Sequence, residues 1–350
     1  MAKRRLTQRQ RARIQAIQQR RLKAAENRQK HQADELLRAV EDGGEARNGL
    51  VIANHGPSQW IEDAQGVVRR CVPRQNLDSI LVSGDRVLWL PAGDGEGVVI
   101  ALQPRKTVLS RRTADGGSRP LAANVDRMLI VTAPRPPLDE HLIDRYLVAA
   151  ERLGIEPVLI VNKADLPDAS ERSALERRTQ VYTALGYRVL YLSAKRGENV
   201  AAFHALLPGH ASILTGQSGV GKSSLVRTLL PDRDIRVRAI SELTGLGAHT
   251  TSVTTLYHLP AGGDLIDSPG VRDFAMDAPT PADVEYGYRE FRALAGGCKF
   301  KDCRHQSEPG CALRAATERG RADPGRFRRM VKMRAEAEAA YDTAASRHGP

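Results

Sequence analysis

Residues Gly216-Gln217-Ser218-Gly219-Val220-Gly221-Lys222-Ser223 fit the pattern G-x-x-x-x-G-K-[ST], between the apolar run Ser212 to Thr215 and a helical pattern from Lys222 to about Leu230. No other stretch restricts the fold as strongly. A strand that turns through glycines straight into a helix belongs to a wound α/β sheet, with the helix laid back on the strand. The glycines let backbone N–H groups turn inward, and the helix N-terminus adds partial positive charge at the same place. Lys222 can reach the β and γ phosphates of a nucleoside triphosphate, and the Ser223 hydroxyl can ligate Mg²⁺. The pattern specifies a triphosphate but no base.

The surrounding sequence has the rhythm such a sheet requires. Strands are predicted at Arg127 to Ala133, Pro157 to Val161, Arg188 to Leu192, Ser212 to Thr215, Val253 to His258 and Asp264 to Ile266. Helical patterns separate them at Glu140 to Leu153, about 170–186, and a short stretch ending at Leu207. Alternation of this kind predicts a mostly parallel sheet covered on both faces.

Two loops in that frame carry base-reading chemistry. Asn162-Lys163-Ala164-Asp165 follows a strand end. Ligands of open α/β sheets bind beyond the carboxyl ends of strands, so this loop should lie beside the phosphate loop. The Asp165 carboxylate can accept from guanine N1–H and the exocyclic amine, whereas adenine offers neither donor there. Lys163 can lie over the purine face, and Asn162 can tie its loop to the phosphate loop. Ser193-Ala194-Lys195 follows the next strand, where a backbone N–H can meet guanine O6. The expected ligand is therefore GTP or GDP with Mg²⁺.

Asp267-Ser268-Pro269-Gly270 follows another strand, about 45 residues after the phosphate loop. Asp267 can hold Mg²⁺ through water, and the Gly270 N–H can touch the γ-phosphate. Between the two motifs lies Gly245-Leu246-Gly247-Ala248-His249-Thr250-Thr251, where a threonine can ligate Mg²⁺ only while the γ-phosphate is present. Val271 stands where many GTPases carry a water-orienting glutamine, which predicts slow intrinsic hydrolysis. His249 is the candidate substitute for that glutamine; a solvent-exposed loop histidine is the competing reading. Two rivals to a GTPase stay open at this point: a binding module that holds GTP as a structural ligand, and an ATP-dependent enzyme such as a kinase.

The 350-residue chain is long enough for two or three domains. Residues 1–45 begin with eleven Lys or Arg in the first thirty positions against Glu26 alone. Such a segment repels itself, reads as largely disordered, and is a candidate arm for a polyanion. It lacks the apolar core of a secretory signal, and glutamines occupy the apolar face that a transit peptide needs. Residues 46–105 show short strand patterns at Leu50 to Ala53, Gln65 to Cys71, Arg86 to Leu90 and Val98 to Ala101. They predict a small barrel resembling an OB-fold. Trp60 and Trp89 are the only aromatics there, which supports a base-stacking platform weakly. Residues 106–275 hold the GTPase motifs. Residues 276–350 turn helical and end in a basic helix with Arg326, Arg328, Arg329, Lys332 and Arg334.

Three of the four cysteines cluster with a histidine. Cys298, Cys303, His305 and Cys311 form C-x₄-C-x-H-x₅-C, a donor set that fills a tetrahedral Zn²⁺ shell and leaves no position open. The reading is a structural zinc in a reducing compartment. Lys299, Lys301, Asp302 and Arg304 lie between the ligands and argue against burial of the cysteines. The same lysines and arginine can touch a phosphate backbone.

The motifs run in an unusual order, with N-K-x-D and S-A-K before the phosphate loop. One sheet can still form if the usual termini are joined and the chain is cut elsewhere. This order, with a barrel before it and a Cys/His cluster after it, resembles the small ribosomal subunit biogenesis GTPases of the RsgA, or YjeQ/YloQ, type. The resemblance runs from about 46 to 330 and rests on Asn162 to Asp165, Gly216 to Ser224, Gly245 to Thr251, Asp267 to Gly270 and the Cys298 cluster. It implies a multidomain α/β fold: an OB-like β barrel, a circularly permuted P-loop GTPase domain and a C-terminal zinc-binding helical domain. It also implies GTP hydrolysis in late maturation of the small (30S) subunit, stimulated by that subunit and its rRNA, and it favours Thr251 as the switch threonine. Net charge of +12 suits a polyanionic partner. A cytoplasmic monomer that does not engage membranes is the accompanying expectation.

Overall fold

The structure is a computed structural model. It describes residues 45–347, except 57, 76, 78, 93–94, 114–116, 233–253 and 268–278. Most of the basic tail, the Gly245–Thr251 segment with His249 and Thr251, and Gly270 with Val271 lie outside the described residues. The chain divides into two compact units, Met1–Pro104 and Arg105–Pro350.

The first unit contains β1 (Arg47–His55), β2 (Ser58–Glu62), β3 (Val68–Pro73), β4 (Arg86–Pro91) and β5 (Glu96–Leu102). β1 pairs with β2, β2 with β3, β3 in parallel with β5, β5 with β4, and β4 back with β1. The ladder closes on itself, so this sheet has no free edge. Its interior holds Val51, Ile61, Cys71, Leu81, Val87, Trp89 and Val99. Two glycines make room for the indole: a Cβ on Gly49 would stand 2.9 Å from Trp89, and one on Gly97 would stand 2.6 Å from it. Trp60 and Trp89 are both buried, so neither offers a face for stacking. The sequence patterns miss β2, because Gly56-Pro57 reads as a turn and Ser58 and Gln59 as polar loop, although both side chains are buried.

The second unit opens with a hairpin, β6 (Val108–Arg112) and β7 (Ser118–Ala123), which the sequence reading leaves out. Its strands carry Ser, Arg and Pro at successive positions and have no alternating apolar signal to betray them. The main sheet follows: β8 (Arg127–Thr132), β9 (Glu156–Val161), β10 (Arg188–Tyr191), β11 (Ala211–Thr215), β12 (Thr255–His258) and β13 (Asp264–Asp267). Their spatial order is β10-β9-β8-β11-β13-β12, parallel except for β12. Counted from β11 and passing from β13 to β8 as if they were joined, this is one continuous winding. That matches the circular permutation which the motif order predicts.

The helices are α1 (Glu140–Leu153), α2 (Ala169–Ala184), α3 (Val200–His204), α4 (Lys222–Leu229), α5 (Pro281–Gly287), α6 (Arg289–Arg292), α7 (Ala312–Glu318) and α8 (Pro324–Arg347). Local chemistry sets their ends. Asp139 caps α1 by accepting from Leu142 N–H, and Gly154 leaves it at φ 67°. Asp168 and Glu171 form a capping box on α2, as do Thr280 and Asp283 on α5.

The helices after residue 280 are fixed to α1 through arginines. Gly287 packs so closely on α1 that a Cβ would stand 2.7 Å from the Val148 Cα. Arg289 Nε donates to Glu151 at 2.6 Å, and Arg292 pairs with the other oxygen of the same carboxylate. Arg326 is 1% exposed; it donates to Asp144 and to Glu290 and lies 4.6 Å from the centre of the Tyr288 ring. Arg329 donates to the second Asp144 oxygen at 2.6 Å. Burial works against the charge on Arg326, yet Asp144 and Glu290 carry its pKa above the ordinary arginine value. The "basic helix" of the sequence is therefore partly an internal clamp: Arg326, Arg329 and Arg334 face carboxylates, while Arg328 and Lys332 are exposed.

Candidate functional site

Five parallel strands send their carboxyl ends to one edge of the sheet. The chain runs outward from β8 to β9 and β10, then returns to β11 on the other side of β8. A topological switch point thus lies between β8 and β11, where an open α/β sheet leaves a crevice. The loops after β9, β10 and β11 open on that edge, where β13 also ends at Asp267, which brings the Asn162, Ser193 and Gly216 motifs and Asp267 to one edge of the sheet.

Asn162 joins three of these loops. It is 2% exposed; its Oδ1 accepts from Ala194 N–H at 3.1 Å, and its Nδ2 donates to Val220 carbonyl at 2.9 Å. The phosphate loop approaches so closely that a Cβ on Gly221 would stand 2.3 Å from Asn162 Nδ2. A Cβ on Gly216 would stand 2.0 Å from the Val131 carbonyl oxygen. Both glycines also have positive φ, 131° and 96°, which side chains rarely adopt.

The loop Gly216-Gln217-Ser218-Gly219-Val220-Gly221 ends in α4, which has no side-chain cap. Its first N–H groups are left to a ligand rather than to a serine or aspartate. Lys222 Nζ donates to the carbonyls of Gly216 (2.6 Å) and Gln217 (2.8 Å), and so lies folded across its own loop. Ser223 and Ser224 are exposed at the loop mouth. Lys163 stands at φ 60° and reaches over the loop, donating to Gly219 (2.6 Å) and Arg135 (2.9 Å) carbonyls.

Beside this loop is a cavity of about 560 Å³, lined by Asn162, Lys163, Asp165, Leu166, Ala194, Lys195, Gly221, Ser224, Arg227 and Thr228. That volume suits a nucleoside. The Asp165 side chain is 10% exposed at its wall. The Ser193 hydroxyl, and then Arg196 at 3.3 Å, hold its carboxyl below the usual aspartate value, so it is ionised at neutral pH. Asp267 closes β13 opposite Thr255. The sequence reading missed Arg196, Leu166, Arg227 and Thr228. Arg196 directly follows Ser193-Ala194-Lys195, but no residue pattern says which way its side chain turns.

A second constellation lies among α5, α7 and α8. The donor atoms of Cys298, Cys303, His305 and Cys311 all lie within 4.8 Å of one another. His305 Nδ1 stands 3.6 Å from the sulfurs of Cys298 and Cys303 and 3.4 Å from that of Cys311. A tetrahedral Zn²⁺ with ordinary bond lengths separates sulfur and nitrogen ligands by roughly 3.5 Å, so the set fits the ion. Backbone N–H groups of Ala312 and Arg314 donate to the sulfurs of Cys298 and Cys311. One expectation is corrected here. Cys303, His305 and Cys311 are buried despite the charged residues between them, because the sulfurs point into an apolar cluster with Val284, Phe291 and Met330 while Lys299, Lys301 and Arg304 point outward.

Residues 102–277 match the family described as RsgA GTPase. The chain is 49% identical to the small ribosomal subunit biogenesis GTPase RsgA of Azotobacter vinelandii, with 93% of this chain and 96% of that protein covered. It is 47% identical to the protein of the same name from Marinobacter nauticus, with 94% of each covered. Among solved structures it is similar to YjeQ from Thermotoga maritima, at 30% identity and a TM-score of 0.69, with 84% of this chain and 99% of that one covered. It is also similar to YloQ, described as a circularly permuted GTPase, at 25% identity and a TM-score of 0.66, covering 84% and 96%. With identity at this level over nearly the whole chain, and a permuted sheet that places the Gly216 loop beside the Asp165 carboxylate, the chain belongs to the RsgA GTPase family and is a GTP hydrolase.

Proposed function

We propose that this GTPase serves late maturation of the small ribosomal subunit, which it binds through rRNA and which stimulates its hydrolysis of GTP to GDP and phosphate. The observation that supports this reading most is the 47–49% identity over more than nine-tenths of the chain to proteins named for that role. In this reading Asn162 to Asp165 and Ser193 to Lys195 hold the guanine, and Gly216 to Ser224 hold the phosphates. Lys222 releases the loop carbonyls and turns to the β and γ phosphates; Ser223, Thr251 and Asp267 hold Mg²⁺; Gly270 N–H senses the γ-phosphate. Water attacks the γ-phosphate, oriented by His249 or by a group from the docked subunit. Cys298, Cys303, His305 and Cys311 hold one structural Zn²⁺. The protein works as a cytoplasmic monomer, and among the described residues no helix is long and apolar enough to cross a membrane.

The test is GTP turnover by the purified protein alone, with small subunits, with large subunits and with naked rRNA. Strong stimulation by small subunits only is expected. Equal stimulation by any RNA would reduce the role to a generic RNA-activated GTPase, and no stimulation would point to another partner.

The ion pairs on α8 refine which charges meet RNA. Arg326, Arg329 and Arg334 are committed to carboxylates, so the phosphate contacts fall to the tail, to Lys299 and Lys301, to Arg328, and to Lys332, whose pair with Glu336 at 3.9 Å is exposed to solvent. Affinity for the subunit is expected to fall steeply with salt, with a log–log slope of about −0.7 to −0.9 per phosphate contact. Substituting Arg328 and Lys332 together should flatten that slope by about 1–2. A slope near zero in the wild-type chain would remove the electrostatic arm from the account.

A further inference from the structure

We propose that Glu285 is the positioning residue of the metal centre: its carboxylate orients the His305 ring so that Nδ1 faces the three sulfurs. The inference rests on the zinc reading given above and concerns a residue that is no part of the donor motif.

His305 Nδ1 lies 3.4–3.6 Å from all three sulfurs, while its Nε2 lies 3.2 Å from Glu285 Oε1. A histidine that ligates through Nδ1 must carry its proton on Nε2 and needs an acceptor there. Glu285 is that acceptor, and it reaches the ring, which sits in a loop, from helix α5, 20 residues earlier. The backbone does not orient the ring by itself. His305 has φ 63°, a region costly for residues with a side chain, so the surroundings must hold it.

Glu285 is itself held. Arg334 Nε on α8 donates to the same Oε1 at 2.6 Å. Arg334 also pairs with Glu338 at 3.5 Å, and Glu338 pairs with Arg304, the residue next to His305, at 3.0 Å. The ion pairs thus run from Glu285 through α8 and back to the metal loop. Charge favours the arrangement. Three thiolates around a divalent ion leave a net negative charge, Glu285 adds another, and Arg334 offsets it. The helix that carries Glu285 is seated firmly, capped by Thr280 and Asp283 and packed through Gly287 on Val148 of α1. The imidazole ligand is therefore referred, through α5, to the body of the GTPase sheet.

The experiment uses the full chain, with Zn²⁺ affinity measured by competition against a chromophoric chelator and with Co²⁺ as a spectroscopic probe. Glu285→Ala is expected to weaken Zn²⁺ about 10- to 100-fold and to alter the Co²⁺ absorption bands. Glu285→Gln, which keeps an acceptor and the fold, should lose less. Urea midpoints with saturating Zn²⁺ and with chelator separate positioning from bulk stability: the gap between them should shrink in Glu285→Ala. Equal losses with and without metal, or affinity and Co²⁺ spectrum unchanged in both variants, would overturn the proposal. A wild-type chain that bound no zinc at all would overturn the metal reading and this inference with it.

Discussion

Asp165→Asn is expected to lower the preference for GTP over XTP by about 10⁴-fold, enough to reverse it. In the proposed reading the ionised carboxylate accepts from both guanine N1–H and the exocyclic amine. Asparagine keeps one acceptor and places an amide N–H₂ where the second oxygen was, so the guanine amine meets a donor instead of an acceptor. Xanthine carries a carbonyl at that position and accepts from the new amide. The substitution is nearly isosteric, and the loop geometry rests on Asn162, which holds Ala194 and Val220 independently of Asp165. The fold should therefore survive while the base preference changes. Competition binding of GTP, XTP and ATP to both proteins measures the effect. A variant that still preferred GTP by the original margin would remove Asp165 from the role of base reader.

Asp144→Ala should destabilise the second unit by about 3–5 kcal/mol. Asp144 is 1% exposed and is shared by Arg326, Arg329 and the Tyr288 hydroxyl. Removing it leaves two guanidinium groups short of a counter-charge, and Arg326 is too deeply buried to be compensated by water. Burial pushes the Asp144 carboxyl up in pKa, and the two arginines pull it back. The cost therefore belongs to the two cations, each left with one carboxylate (Glu290 for Arg326, Glu140 for Arg329), more than to the lost carboxylate. A triple variant that replaces the buried cluster as a whole, Asp144→Leu with Arg326→Met and Glu290→Leu, should recover much of the loss, since an apolar replacement for a complete buried ionic group is often close to neutral. Urea unfolding monitored on both proteins checks this. A single-variant loss under about 1 kcal/mol would mean that the network is solvated in practice.

The parts of the molecule that could be read from sequence share one property: their chemistry is local. Gly216 to Ser223 declares its loop because glycine spacing and helix start are contiguous. The Cys298 cluster declares itself because four donors fall within fourteen residues. The buried strands of the parallel sheet show as apolar runs, Arg127 to Thr132 being buried throughout. What was illegible depends on distant partners. Ser58 and Gln59 look like loop residues until the barrel closes around them. Arg326 looks like a phosphate contact until Asp144, 182 positions earlier, comes to lie opposite it. Glu285 is one acid among many until His305 turns towards it. Charge counted along a chain cannot distinguish a cation that faces solvent from one that closes an internal pair.

The position of the permutation cut also determines how the core bears load. The chain enters the sheet at the start of β8 and leaves it at the end of β13, and these strands flank β11 on either side. All three run in the same direction, in register at Arg127 to Ile130 against Ser212 to Thr215 and at Asp264 to Ile266 against Ala211 to Ile213. Tension between the segments before and after the core pulls β8 by its first residue and β13 by its last. The two ladders are then sheared along their length, with every rung loaded together, and the strand between them is the one that ends in the phosphate loop. A GTPase cut at this place carries pull along its backbone through the strand that feeds its nucleotide site, and the ion pairs that hold α5, α6 and α8 to α1 share that load.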